Sequence, residues 1–450
     1  MPAVITDTLR RQIARDFFEQ FQNNTENYYV AISKSEQWDS FETVPTPVNN
    51  PDEIADFRNG MQAMKRVAGT SLVVPRNNWS QGTIYSQYDD TVQGYPTQPY
   101  YVKTDNNQVY VCLETGRDRF GVAQPSTIEP TSSNNDSFRL ADGYVWKFLY
   151  TISAQRQDQF QSSNFMPVQK QGGTDSNSTG IELKQKEIQD SATPGEILSI
   201  IITAGGSGYT AAPSVVITSP TGSGASATAV IDSATGQVAR VRMDGAALNT
   251  IAHGSGYTTA NVSFTGGGGA GATARAVLAF SDSGVGADAR VDLKTASIMF
   301  HTMLEGDDSD FIVQQDFRQV GLYKNPLNRA GARFTGTTAN LLKKMKLSSI
   351  VTSFTKDKLI EGQSSGAVAY VDDIDSNEIY YHQSDDTGFL SFNDGEIIDE
   401  QNGTGNGVID SAVVYPNVDT LTGDILYIDN RAPVSRSLTQ AEDIKIILQF

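Results

Sequence analysis

The stretch Ala141-Asp142-Gly143-Tyr144-Val145-Trp146-Lys147-Phe148-Leu149-Tyr150-Thr151-Ile152 decides the fold. Asp-Gly marks a turn, because glycine takes positive φ without a Cβ clash. The run behind it is β-branched and aromatic. In an extended strand Tyr144, Trp146, Phe148 and Tyr150 share one face, while Val145, Leu149 and the Lys147 stem share the other. A strand apolar on both faces belongs in the middle of a covered sheet. It carries no active-site signature, and the chemistry it points to is adhesion between proteins.

Composition agrees. A chain of 450 residues exceeds one ordinary core, so several domains are expected. Its 39 glycines and 19% charged residues suit an all-β, turn-rich protein. No apolar run approaches the roughly 20 residues that span a bilayer. The N-terminal segment lacks an apolar signal region, so no secretory leader is expected. Cys112 is the only cysteine, which excludes an internal disulfide and a cysteine-rich zinc site. Within Val109-Tyr110-Val111-Cys112-Leu113 it reads as a small buried hydrophobe. The formal charge of −18 argues against nucleic-acid binding, which needs clustered cations to displace counterions. The one basic cluster, Lys343-Lys344-Lys346, reads as a solvated face.

In chain order, a helix starts at Thr6 or Asp7 and carries Leu9, Ile13, Phe17 and Phe21 on one face, ending at Asn23-Asn24. Tyr28–Ser33 reads as a strand. Asn50-Pro51-x-Glu53 opens a second helix with Ile54, Phe57, Met61 and Met64 as its stripe. Val67 to Val74 is a strand, and the tyrosine-rich residues from Trp79 to Tyr101 suit a long ordered loop. Tyr100 to Lys103 and Gln108 to Leu113 form a hairpin around Asp105-Asn106-Asn107. From about Thr193 the composition changes. Gly206-Ser207-Gly208-Tyr209-Thr210 returns as Gly254-Ser255-Gly256-Tyr257-Thr258, and Gly224-Ala225 returns as Gly271-Ala272, a tandem repeat of a small β module. No Gly-Lys-Ser/Thr follows these glycines, so they are not a phosphate loop. Ala289 to Met303 is strand-like, then come an acidic loop from Glu305 to Asp310 and a strand from Phe317 that Asn325-Pro326 ends. Gly362 to Asp372, Ile379 to His382 and Phe389 to Phe392 read as short strands, with a turn at Asn393-Asp394-Gly395. The chain closes on Asp424 to Pro433 and on alternating Ile444, Ile446, Leu448 and Phe450, a final strand expected to pair with a distant early one.

No catalytic constellation emerges. His253, His301 and His382 lie in three segments; no Gly-x-Ser-x-Gly elbow and no His-Glu-x-x-His occur. Asp373, Asp375 and Asn377 superficially match a calcium loop, but Glu378 stands where glycine is needed and Ser384 where the last glutamate belongs. The expected catalytic, metal and cofactor sites are therefore none. The aromatic loop from Trp79 to Tyr101 is the best candidate for a glycan-binding or protein-binding surface, unless its tyrosines simply plaster it to the core. Trp38, Trp79 and Trp146 are expected mainly in the core.

Six separated segments resemble, in order, the baseplate wedge subunit (gene-eight product) family of T-even-type contractile-tailed bacteriophages. They are Ala31 to Trp38, Val74 to Trp79, Val109 to Leu113, Asp142 to Leu149, Phe317-Arg318-Gln319 with Asn325-Pro326-Leu327, and Gly423 to Tyr427 with Asn430-Arg431-Ala432-Pro433 through Phe450. The resemblance covers residues 1–170, 289–335 and 416–450. It leaves out the glycine-rich repeat and 346–415, which resemble small β modules of marine T-even-like phages.

What it implies is a mainly β fold: a discontinuous β-sandwich-like core with a few helices near the N-terminus and inserted small β subdomains. The core would take 1–190, 289–345 and 416–450, with inserts at 191–288 and 346–415. The implied role is structural, without catalysis: a homodimer that links other wedge subunits and holds the baseplate before contraction. Tail-fibre or peripheral baseplate proteins would meet the inserts. The implied location is the virion tail baseplate, assembled in the host cytoplasm, with no nucleic acid or membrane as partner. Two other readings stand beside it: a glycan-binding adhesin or tailspike-like module, and an enzyme cleaving glycans with paired carboxylates.

Overall fold

The computed structural model describes residues 6–23, 26–38, 43–92, 99–175, 177–244, 250–279, 281–305, 316–437 and 439–450. The chain is mainly β, with 43% of residues in strands against 11% in helices, and it has several antiparallel sheets. Five helices are present among the described residues, one near the N-terminus. The chain divides into two compact units. The first holds 1–18, 71–299 and 447–450; the second holds 19–70 and 300–446. The backbone passes between them inside helix Asp7–Gln22 and inside strands Gly69–Pro75, Ser297–Leu304 and Glu442–Gln449, so neither unit is one continuous piece of sequence.

In the first unit, strand Val145–Thr151 lies inside a sheet ordered Tyr101–Lys103, Gln108–Glu114, Val145–Thr151, Phe138–Arg139. Tyr144, Trp146 and Phe148 pack with Tyr85, Val102, Tyr110 and Cys112, and with Ile188 from helix Gly180–Asp190. The Tyr144 and Trp146 rings stack at 5.7 Å. Val145 and Leu149 face the other way, into a core with Val74, Val111 and Leu293. Removing one such aromatic side chain from water is worth roughly 2–3 kcal/mol, so this strand anchors the unit. Tyr150 departs from the expected alternation and joins the Val145 side. A register shift explains it: Val109 pairs with Tyr150 and Tyr110 with Phe148, leaving Leu149 as a bulge that turns the next side chain over. The Tyr150 hydroxyl then donates to the Pro167 carbonyl at 2.8 Å.

The glycine-rich repeat forms its own sheets, and its two copies pair about a local two-fold. Strand Ser214–Thr218 lies antiparallel to its counterpart Asn261–Thr265. Strand Ile197–Ser207 pairs with Ala270–Leu278 as Ser223–Ala225 pairs with His253–Ser255. The glycines are reciprocal. A Cβ on Gly206 would stand 2.5 Å from the Ala270 carbonyl, and one on Gly254 would stand 2.4 Å from the Ala225 nitrogen. Tyr209 covers Gly269 and Tyr257 covers Gly222, leaving the two rings only 5% and 6% exposed. Each copy thus closes on glycines of the other.

In the second unit, strand Asp316–Lys324 sits between Tyr28–Ser33 and Asp424–Ser435 in a five-stranded sheet. Helix Pro51–Asn59 starts as expected, with Asn50 accepting the Glu53 N–H at 2.7 Å. Its Phe57 ring lies where a Cβ on Gly321 would be, 2.3 Å away. The helix stops before Met61 and Met64, which belong to strand Met61–Arg66 beside Tyr28–Ser33. Sheet pairing there overrides helical spacing, and Gly60 makes the switch under Ser33, whose Oγ would lie 2.9 Å from an added Cβ. Six strands between Lys343 and Val414 close into a barrel around Met345, Leu347, Ile360, Val371, Ile379 and Ile398.

Further differences have local causes. Residues 289–303 begin as a short helix, Ala289–Asp292, because Asp288 caps the Arg290 N–H at 3.1 Å; the strand starts at Ser297. Residues 362–372 are a hairpin, turned at Gly366 with φ of 65°. Phe389 to Phe392 form no strand; Phe392 plugs the barrel core while Phe389 is 53% exposed. The final strand, Glu442–Gln449, has Ser297–Leu304 as its neighbour in place of an early strand. Thr6 caps the first helix, but Leu9 and Ile13 on its apolar stripe are exposed. Asn24 and Gly306–Asp310 of the acidic loop lie outside the described residues.

The reciprocal glycines give a test. Gly254→Ala adds a methyl against backbone at φ of 63°. It should cost about 2–4 kcal/mol in urea unfolding and speed amide exchange at 223–225 and 253–257. An equal melt and unchanged exchange would refute the lock.

Candidate functional site

A dense set of ionisable side chains in the second unit surrounds His382. Strand Val368–Asp375 pairs with Glu378–His382, and a register shift between Val371 and Asp373 bulges Asp372 inward. His382 Nδ1 lies 2.7 Å from Asp372 Oδ2, and Ser35 Oγ donates to Asp372 Oδ1 at 2.8 Å. Glu36 Oε2 stands 3.3 Å from His382 Nε2, an ion-pair contact without hydrogen-bond geometry. Lys34 Nζ reaches Glu36 Oε1 at 3.0 Å, and Arg318 donates to the Ser35 carbonyl. Tyr370 stacks on the imidazole at 5.3 Å.

Burial alone would lower the His382 pKa. Asp372 and Glu36 outweigh it and push it up to about 10. Burial likewise opposes the Glu36 charge, but His382 and Lys34 hold that carboxyl well below the usual range. An imidazolium held between two carboxylates at neutral pH has no lone pair for a general base. Ser35 bonds the carboxylate and not the imidazole. The geometry fastens residues 34–36 to the barrel.

His253 is placed differently, in the first unit. Its Nδ1 contacts the Ile197 carbonyl at 2.8 Å and therefore carries the proton. Its Nε2 accepts the Ser137 hydroxyl at 2.7 Å. The pair borders a polar cleft of about 510 Å³ with Lys147, Glu196 and Asp136. Burial lowers the His253 pKa to about 4, which leaves a neutral but weakly basic imidazole with a carbonyl where a triad has a carboxylate. Distance in sequence hid this pairing; nothing around Ser137 signals it. His301 meets Asp443 at 3.0 Å in the second unit, so each of the three histidines has its own partners.

The remaining candidates resolve as follows. Asp373 pairs with Lys356 at 2.6 Å, and Ser376, at φ of 55°, turns the hairpin that holds Asp375 and Asn377. No cluster of three metal-binding side chains occurs among the described residues. Lys344 and Lys346 pair with Glu378 and Asp410, while Lys343 turns to Gln383. Tyr85, Tyr88 and Tyr100 of the aromatic loop are buried, leaving these rings no free face for a sugar; residues 93–98 lie outside the described residues. Cys112 is buried, and that burial pushes its thiol well up. Trp146 alone of the tryptophans is fully buried; Trp38 and Trp79 are half-buried, their ring N–H groups bonding the Arg431 carbonyl and Ser126. The barrel and residues 34–36 meet through Ser35 with Asp372 and Glu36 with His382, and the second unit needs both segments to build this site.

His382→Gln removes the cation between Asp372 and Glu36, leaving Glu36 only Lys34, and should cost about 3–5 kcal/mol, read by chemical denaturation. The raised imidazole pKa stabilises fully below about 6.5 and fades as pH rises toward 10. The lowered Glu36 pKa stabilises above about 4.5 and fades in acid. The gap between wild type and variant should therefore be widest between about pH 4.5 and 6.5, and a gap that grows toward pH 9 would contradict the clamp. No protein-family model matches the chain, and no curated protein is significantly similar to it.

Proposed function

We propose that this chain is a structural subunit of a contractile phage tail, a baseplate wedge protein that works by fitting against its neighbours without turning over a substrate. The observation that carries the reading is the ordered set of six segments resembling that family, which spans both ends of the chain. The physical role is large-area contact anchored by a rigid β scaffold. Leu9 and Ile13 on the first helix, and Val351, Phe389, Leu390 and Leu421 in the second unit, are large apolar side chains more than a third exposed. Such side chains suit burial against partners. The proposed partners are a second copy, other wedge subunits and, through 191–288 and 346–415, fibre or peripheral baseplate proteins. The charge of −18 disfavours nucleic acid, and no helix of the described residues is long and apolar enough to cross a membrane.

The adhesin alternative takes its motivation from the Gly-Ser-Gly-Tyr repeats. Tyr209 and Tyr257 are pinned under the opposite copy's glycines, so neither offers a stacking platform.

Cryo-electron microscopy of the intact virion tests the proposal. Density for this fold is expected in the baseplate ring in multiples of six. Density in capsid or fibres alone would overturn it. In light scattering the purified chain should have about twice the 48.7 kDa of one copy.

A further inference from the structure

A groove of about 350 Å³ in the second unit has an unusual electrostatic state. Arg58, Arg329 and Lys343 converge on it, and Phe389, Tyr415 and Leu421 form its apolar margin. Arg58 comes from the last turn of helix Pro51–Asn59 and is spent on backbone: it donates to the carbonyls of Thr420, Thr422 and Gly423. Arg329 donates Nε–H to the Pro416 carbonyl at 2.9 Å and lies 4.3 Å from the Tyr415 ring centre. Lys343 donates to Gln383 Oε1 at 2.9 Å and lies 5.8 Å from the same ring.

None of the three forms an ion pair among the described residues, in a chain with 52 acidic and 34 basic side chains. The one carboxylate in the lining, Asp419, is turned to the Leu421 N–H at 3.1 Å. Lys343 is desolvated, and Arg329 beside it adds like-charge repulsion; both lower its pKa. A second observation is independent of charge. Tyr381 is fully buried in the groove wall near the Tyr415 phenol, and its hydroxyl has no hydrogen-bond partner.

Cations brought together without an anion, beside a hydroxyl lacking an acceptor, fit a ligand that supplies carboxylate oxygens. Arg329 keeps its terminal N–H groups for a planar, two-point contact with a carboxylate. Phe389, Tyr415 and Leu421, respectively 53%, 48% and 72% exposed, fit an apolar side chain next to that carboxylate. We infer that this groove is a docking site for an acidic peptide segment carrying an aromatic or aliphatic residue, supplied by another protein. The inference rests on the structural reading above and names the chemistry of one partner: a neighbouring subunit presents Asp or Glu beside an apolar anchor, and the groove neutralises it.

The test is fluorescence anisotropy with the full chain and a fluorescein-labelled Glu-Glu-Phe-Glu-Glu peptide at low salt. Saturable binding is expected, weakened about tenfold by the Arg329→Gln/Lys343→Gln double variant and falling as salt rises from about 50 to 500 mM. Because the double variant disturbs two hydrogen bonds, Leu421→Asp at the exposed margin serves as a second probe. It should weaken binding about fivefold with an unchanged melting temperature. No binding, equal binding by both variants, or equal binding of a Lys-Lys-Phe-Lys-Lys peptide would overturn the assignment. So would a dimer that Leu421→Asp dissociates, because the occupant would then be a second copy. A virion map showing the chain in the baseplate with this groove empty would refute the groove and leave the structural reading intact. Peptide binding by a chain found outside the baseplate would do the reverse.

Discussion

Strand Asp316–Lys324 is hydrogen-bonded on both sides by strands far away in sequence, with Ile32 against Val320 and Asp429 against the same residue. The second unit exists only once those three segments meet. Closing a loop costs conformational entropy, but that cost grows only slowly with loop length. Long stretches can therefore sit between the pairing strands, provided each leaves and returns at neighbouring points. The barrel obeys this: it begins at Lys343 and ends at Val414, and Lys344 pairs with Val414. Gly321 shows how tightly the centre is built, since any side chain there would displace Phe57.

The first unit rests on a different device. Its central strand is covered on both faces, and the bulge at Leu149 lets one strand feed two cores. The repeat solves a smaller problem. One copy of such a module has too little apolar surface to close alone. Two copies bury their tyrosines on each other's glycines, so the glycines serve close approach more than flexibility.

Charge is handled unevenly in this acidic protein. Inside, the imidazolium of His382 is balanced by Asp372 and Glu36, which makes it a fastening. At the groove, Arg329 and Lys343 face an aromatic ring and each other, with no ion-pair partner among the described residues. The first arrangement is complete within the chain; the second is the groove inferred to take an acidic segment from outside. The proposed assembly role would use both kinds: internal pairs that hold the shape, and surface charges left open for a neighbour.

Local signals in the sequence determined much of the secondary structure. Alternation located the strands at 28–33, 101–114 and 145–151, and Asn50-Pro51 located a helix start, because side-chain period and capping act within a few residues. Helix Gly180–Asp190, opened by the Thr179–Glu182 capping box, was not among the expected elements, although that signal is equally local. The tandem repeat was legible as identity of letters; its reciprocal closure was not, since antiparallel pairing of copies is a choice of partner. Met61 and Met64 carried helical spacing yet became strand, because Tyr28–Ser33 offered them a buried edge. Ser137 met His253, and Glu36 met His382, across stretches that no spacing rule connects. Those meetings, and the unbalanced cations of the groove, were decided by tertiary structure alone, because Coulomb and hydrogen-bond energies depend on distance in space and are blind to distance along the chain.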